Sequence, residues 1–157
     1  MSELIFRPFA HADQSGVRAL ILTGLASRFG TLDESLNPDL IDIWSTYVAP
    51  GDTFLVVELD GVIVGSGALI RENGSDTVGR LVRVSVDSAY QGKGIGRRIS
   101  QALIEMAQQR GFKEILVETN DDWESALKLY QSLGFQEYAR IPNPQFGFVE
   151  VHMRLTV

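Results

Sequence analysis

The 157-residue chain contains no cysteine, which excludes disulfides and thiolate-bound metal outright. It has only two histidines, His11 and His152, and its carboxylates are scattered along the sequence. No metal-ligand spacing is visible, and no metal site is expected. No apolar run approaches the roughly 18 residues of a membrane span, so no membrane partner is expected. The opening "MSELIFRPFAHAD" has neither a basic start nor a long apolar core and does not read as a signal peptide, which makes a cytoplasmic protein the expectation. The formal net charge of −6 argues against nucleic acid, whose phosphates need a basic surface. Positive charge is missing altogether between Arg28 and Arg71, where Asp33, Glu34, Asp39, Asp42, Asp52, Glu58 and Asp60 lie.

What is present reads as one globular domain spanning 1–157, with 45% hydrophobic and 22% charged residues and no repeat or linker. Basic charge is concentrated between Val78 and Lys113. Arg80, Arg83, Lys93, Arg97, Arg98, Arg110 and Lys113 stand there against Asp87 and Glu105. A basic patch inside an acidic protein is the pattern of a local anion site.

The elements follow from periodicity and turn chemistry. "LIFRPF" is a short strand that Pro8 ends or places at an edge. Asp13 is expected to cap a helix carrying Val17, Leu20, Ile21 and Leu25. "NPDLIDIWSTYV" suggests a second short helix, with Asn37 as cap and Pro38 at its first position. "TFLVVEL" and "VIVGSGALI" flank Asp60-Gly61, a tight-hairpin signal, and "RLVRVSV" is the next strand after the turn "ENGSD". Ile99, Ala102, Leu103, Met106 and Ala107 form a helical stripe that Gly111 stops. "EILVET" is a strand, "WESALKLYQSL" a helix that Asp121 or Asp122 can cap and Gly134 ends, and "FGFVEVHMRLTV" alternates as a last strand. The fold class is α/β (α+β): a mixed, mostly antiparallel sheet with helices on both faces, in which one strand–helix–strand crossover is parallel.

The stretch "AYQGKGIGRRI", Ala89 to Ile99, places Gly92, Gly94 and Gly96 directly before that striped helix. A helix N-terminus leaves four N–H groups outside its ladder and carries about half a positive charge. Glycines ahead of it let the backbone curl into a nest and let an anion such as phosphate approach without meeting a Cβ. A plain turn with no ligand remains the other reading of the run. The Walker pattern fails because Lys93 precedes Gly94, and the dinucleotide fingerprint fails because Arg97 or Ile99 stands where its third glycine belongs.

Gln91, Gly94 and Gly96 form a Q-x-x-G-x-G spacing, placed between a strand and an amphipathic helix. It resembles the acetyl-CoA signature of the GCN5-related N-acetyltransferase superfamily. "RPFAHAD" with the helix after it resembles the family's first strand and helix. Asn120, Ala126, Leu129, Tyr130, Gly134 and Phe135 resemble its second signature, and the likeness covers most of the chain.

The resemblance implies that acetyl-CoA is the co-substrate and a primary amine the acceptor, attacking the thioester directly. It places the pantetheine arm along Val84, Ser85 and Val86, with one backbone N–H polarising the thioester carbonyl. The pyrophosphate falls to the N–H groups of Gln91, Gly92, Lys93, Gly94, Ile95, Gly96 and Arg97. Asn120 resembles the residue that bonds the arm, and Tyr130 the general acid, while a tyrosine in that helical stripe is otherwise core. Many relatives carry a glutamate as base on the strand before the loop, but "RLVRVSV" offers Arg83 and Ser85 instead. Ordered water, a carboxylate from elsewhere or an acceptor arriving partly neutral are the alternatives. His152 is a surface or packing residue, or touches the acceptor.

The acids Asp33, Glu34, Asp39 and Asp42 lie where the family's acceptor enters, so a cationic amine is expected. The competing reading is a silent acyl-CoA-binding sensor of the same fold. The exposed edges of such a sheet make a homodimer plausible.

Overall fold

The computed structural model describes residues 3–30 and 36–157. In chain order they form β1 (Leu4–Pro8), α1 (Gln14–Phe29), β2 (Thr53–Leu59), β3 (Val62–Arg71), β4 (Val78–Val86), α2 (Ile95–Gln109), β5 (Glu114–Asn120), α3 (Glu124–Ser132), β6 (Gln136–Pro142) and β7 (Val149–Thr156). The sheet order is β1-β2-β3-β4-β5-β7-β6. β4 and β5 pair parallel, as the crossover requires, while β1/β2, β2/β3, β5/β7 and β6/β7 pair antiparallel. By contact density the chain divides into two units. One is Met1–Ile70 with Val82–Leu103, and the other is Arg71–Leu81 with Ile104–Val157.

In the first unit, β1 is an edge strand and Pro8 closes its ladder opposite Leu55, where a missing N–H is tolerated. Asp60 (φ 52°) and Gly61 (φ 79°) make the two-residue turn between β2 and β3. The ladder then skips Val64: Val57 faces Gly65, while Glu58 faces Ile63. This bulge reverses which face each later side chain of β3 takes. Ile63, Ala68 and Ile70 pack with Val17, Ile21 and Leu22 of α1. Gly65 and Gly67 face α2 instead. A Cβ on Gly67 would lie 2.5 Å from Ile99 Cγ2 and 3.0 Å from Leu103 Cδ1, so the helix rests almost on the strand backbone. Helices therefore cover both faces. Ile95, Ile99 and Leu103, buried on α2, are the stripe expected from the sequence.

The polar side chains depart from their expected capping roles. Asp13 stands at the cap position of α1 without a side-chain cap bond to it. Its carboxylate accepts from Arg7 Nη1 (2.7 Å), Arg7 Nη2 (2.9 Å) and the Ala10 N–H (2.8 Å). The hydrogen bond from Arg7 holds the Asp13 carboxyl below its usual value, outweighing burial. The segment 37–48 is not one helix. A tight turn at Pro38–Leu40 is followed by a π-helical turn at Trp44–Val48, and Asn37 makes no cap bond. Asp42 breaks the run by accepting from the Ser45 N–H (3.1 Å) and Ser45 Oγ (2.8 Å).

In the second unit, the β5/β7 register sets Ile115, Val117 and Thr119 opposite Leu155, Met153 and Val151, which together form one face. Glu118 and Asn120 lie on the other face, opposite His152 and Glu150. α3 starts after Trp123, which occupies the cap position without a side-chain cap bond. Asp121 Oδ1 instead accepts from the Val149 N–H at 3.0 Å and ties down the start of β7. Gly134 (φ 100°) ends α3 as expected. β6, at the sheet edge beyond β7, was not foreseen; its side chains are mostly exposed and show no apolar alternation. No described helix is long and apolar enough to cross a membrane.

Candidate active site

The anion site expected from the glycines is built from the end of β4, an eight-residue bend and the first turn of α2. The bend is braced locally. Asp87 donates its N–H to Val64 O (2.9 Å) and accepts from the Ala89 N–H with its carboxylate (2.9 Å). Gln91 Nε2 donates to Val86 O at 3.2 Å, so this side chain ties the loop to the strand. Gly92 (φ 76°) and Gly94 (φ 80°) are both left-handed. A Cβ at either would meet no protein atom within 4 Å. The conformation, not packing, selects glycine here, and it leaves open room against the backbone.

The first ladder bond of α2 runs from the Arg98 N–H to Gly94 O (3.1 Å), so the N–H groups of Ile95 and Gly96 stand ahead of the ladder. Gly96 itself lies inside α2, not in the left-handed bend. Buried Ile95 anchors the turn. Lys93 and Arg97 are exposed beside it. Lys93 Nζ sits 5.5 Å above the Tyr90 ring. Arg98 lays its guanidinium 4.7 Å over the Phe6 ring.

Half-buried Val84, Ser85 and Val86 end β4, and the residue before them is unusual. Arg83 has φ 56°, a left-handed conformation inside a strand. Its carbonyl accepts from buried Ser66 Oγ at 2.9 Å. Its guanidinium grips Asp39, Nε to Oδ2 at 2.9 Å and Nη2 to Oδ1 at 2.6 Å, and Nη2 also reaches Asn37 Oδ1 at 3.1 Å. Tyr47 donates its hydroxyl to Asp39 Oδ2 at 2.5 Å. Burial works to raise the Asp39 carboxyl, but the bonds from Arg83 and Tyr47 outweigh it and hold the group below its usual value. The strand's faces reverse across Arg83: Val82 packs with the α1 cluster, whereas Val84 lies on the Gly67 side. The β4/β5 ladder covers only Val78–Arg80, six residues short of the end of β4.

The acid cluster expected to draw in a cationic acceptor is thus altered. Asp39 is neutralised by Arg83, Asp42 holds the turn at Ser45, and Asp33 and Glu34 lie outside the described residues.

The second unit carries the other expected residues. Asn120 is buried at the carboxyl end of β5, its carbonyl accepting from the Trp123 N–H at 3.0 Å. Tyr130 is buried on α3 with its ring 5.6 Å from Phe135, and burial pushes its hydroxyl up to about 12. Sequence reasoning missed a cluster here. His152 Nε2 lies 3.1 Å from Glu150 Oε1 and 3.5 Å from Glu118 Oε1. Spacing gives no hint of it, because only the β5/β7 register brings residue 118 beside 150 and 152. His11, the other histidine, stacks on Trp44 with ring centroids 3.9 Å apart.

The pattern of the acetyltransferase (GNAT) family matches residues 20–135. The chain belongs to this family. It is 40% identical to an N-acetylaspartate synthetase of Xenopus tropicalis over 123 residues, 78% of this chain and 42% of that protein. It is 32% identical to an uncharacterized N-acetyltransferase of Escherichia coli over 101 residues, 64% of this chain and 60% of that protein. The chain spans between 35% and 60% of the length of such curated relatives. A Salmonella typhimurium structure solved with its cofactor acetyl-CoA has the same fold, with TM-score 0.82 and 22% identity over 98% of this chain and 94% of that one. So does an acetyltransferase of the GNAT family from Staphylococcus aureus, with TM-score 0.82 and 22% identity over 98% and 100%.

Acetyl-CoA is the co-substrate of the GNAT family, and the residues present suit it. The left-handed glycines leave a cradle that a Cβ would fill, and the N-terminal turn of α2 offers N–H donors to a pyrophosphate. The mixed, mostly antiparallel sheet flanked by helices is the family's fold.

Proposed function

We propose that this chain, acting as one domain over residues 1–157, is a cytoplasmic N-acetyltransferase that moves an acetyl group from acetyl-CoA to a primary amine. The observation that carries the reading is the pair of left-handed glycines with open space beside them, directly ahead of the α2 ladder. When bound, acetyl-CoA supplies an acyl group activated as a thioester. The N–H groups from Gln91 to Arg97 hold its pyrophosphate. The main chain of Val84–Val86, beyond the reach of the β5 ladder, pairs with the pantetheine arm, and Asn120 bonds the arm from β5. One N–H of that β4 stretch polarises the thioester carbonyl, a contribution of about 3 kcal/mol where such a donor is well placed.

Tyr130 donates the proton that the departing sulfur needs. Burial, by pushing the hydroxyl up to about 12, keeps that proton in place at neutral pH. The acceptor arrives as an ammonium group. Among acceptors, the Arg83–Asp39 pair weakens the case for a strongly cationic one. A second reading, an amino acid carrying carboxylates, is favoured by the likeness to N-acetylaspartate synthetase, whose name gives its product.

The test is release of free CoA thiol from acetyl-CoA over a panel of polyamines, basic peptides, aminoglycosides and acidic amino acids, alongside calorimetry with acetyl-CoA alone. Micromolar binding with thiol release on one amine class supports the reading. Binding without release on any amine makes the chain an acyl-CoA sensor, and absence of binding overturns both.

A further inference from the structure

The reaction needs a proton acceptor for the incoming ammonium, and β4 carries Arg83 and Ser85 where a carboxylate would serve. Arg83 is engaged with Asp39, so β4 offers no base. Carboxylates stand on the β5/β7 pair. Glu118, Asn120, Glu150 and His152 share one face of the β5/β7 pair, with Glu118 directly opposite His152 and Asn120 opposite Glu150. His152 is largely covered, and its Nε2 faces both carboxylates, at 3.1 Å from Glu150 and 3.5 Å from Glu118. Glu150 is fixed in turn by Asn143, whose Nδ2 donates to Oε2 at 3.1 Å. Glu118 is the outermost of the three, with 44% of its side chain exposed. Arg80, Tyr138 and Arg154 belong to the same unit. Arg80 is held bidentately by Glu72, the Tyr138 ring lies 6.1 Å from the His152 ring, and Arg154 sits over Tyr138.

On the reading above, Asn120 at the carboxyl end of the strand bonds the cofactor arm, and Glu118 stands on the same face of β5. Two residues of strand advance about 6.6 Å, so Glu118 lies one short side-chain step from Asn120 along that face.

We propose that Glu118 is the proton acceptor for the amine, oriented by His152, which Glu150 and Asn143 hold in place. This rests on the N-acetyltransferase reading and names a group in its site. The ammonium gives one proton to the Glu118 carboxylate, and the neutral amine then forms the C–N bond as the C–S bond breaks. The nitrogen loses two protons in all. One replaces the proton that Tyr130 gives to the sulfur, and the other leaves through Glu118 to solvent.

The experiment compares wild type, Glu118→Gln, His152→Gln and Tyr138→Phe with two acceptors. One is the best alkylamine of the panel, charged at pH 7, and the other is a weakly basic analogue such as a hydrazide, already neutral there. Glu118→Gln should lower kcat with the charged amine by ~10²–10⁴-fold and with the neutral one by less than ~10-fold. His152→Gln should show the same preference with a smaller loss, and Tyr138→Phe neither. Acetyl-CoA affinity by calorimetry and the melting temperature should be unchanged in Glu118→Gln.

Equal loss with both acceptors, no loss, or weakened acetyl-CoA binding in Glu118→Gln would each overturn the assignment. So would wild-type activity that vanishes on dialysis against EDTA and returns with a divalent cation, since the three side chains would then be metal ligands. If wild-type protein binds acetyl-CoA and acetylates no amine, it is the N-acetyltransferase reading that fails.

Discussion

Arg83 occupies a left-handed conformation in a strand, and the cost of that conformation can be measured at one position. Its φ of 56° costs an L-residue roughly 1–2 kcal/mol, which the grip on Asp39 and Asn37 must offset. Breaking a fully buried ion pair costs about 3–5 kcal/mol; here both side chains are about one-fifth exposed, which reduces the figure to roughly 2 kcal/mol. Arg83→Ala removes the grip and keeps the backbone penalty. Arg83→Gly removes both, and adds roughly 0.5–1 kcal/mol of unfolded-chain entropy. The glycine variant should therefore be the more stable of the two by about 0.5–1 kcal/mol, although it has lost more atoms. For a chain of this length 1 kcal/mol moves Tm by about 2–4 °C. Thermal and urea melts should place alanine about 4–8 °C below wild type and glycine about 1–4 °C above alanine. A glycine variant less stable than alanine would show that the left-handed backbone at Arg83 carries no strain and that Arg83 acts by charge alone.

The depressed carboxyl of Asp39 adds stability that is full above the ordinary carboxylate value near 4 and is lost as pH falls through the lower folded value. Asp39→Asn should accordingly cost most near neutrality, with its gap to wild type closing below about pH 4 in parallel melts. Tyr130→Phe should keep fold and acetyl-CoA affinity while lowering kcat by ~10²–10⁴-fold; an unaltered kcat with chemistry rate-limiting would return Tyr130 to the core. Gly94→Ala, whose methyl meets no protein atom but whose φ is 80°, should lower stability by about 1 kcal/mol and acetyl-CoA affinity by at least ~10-fold, and calorimetry showing equal affinity would remove the pyrophosphate from this loop.

Legibility in the sequence followed the range of the forces involved. The α2 stripe, the Asp60-Gly61 turn and the glycines before α2 were readable because each depends on neighbours a few residues away. Capping was misjudged because polar side chains found distant partners: Asp13 in Arg7, Asn37 in Arg83, Asp121 in Val149. β6 was missed because an exposed edge strand needs no apolar alternation, only a partner, and β7 supplies it. The left-handed Arg83 and the Glu118–His152–Glu150 group were hidden for the same reason. One is held by Asp39, 44 residues away, and the other exists only through strand register.

The bare backbone of Gly67 has a consequence for how this chain can diverge. Because Ile99 and Leu103 occupy the place of its side chain, the height of α2 above β3, and with it the seat of the Gly92–Gly96 turn, is fixed by an atom that is missing. Position 67 touches no ligand in any reading of the site. Even so, a lineage that acquired alanine there would have to give way at residue 99, since a Cβ 2.5 Å from Ile99 Cγ2 cannot be accommodated in place. Loss-of-function alleles at Gly67 should thus be rescued by second-site changes to a smaller residue at Ile99. Residues 67 and 99 should vary as a pair, while the exposed positions beside them on α2 drift independently.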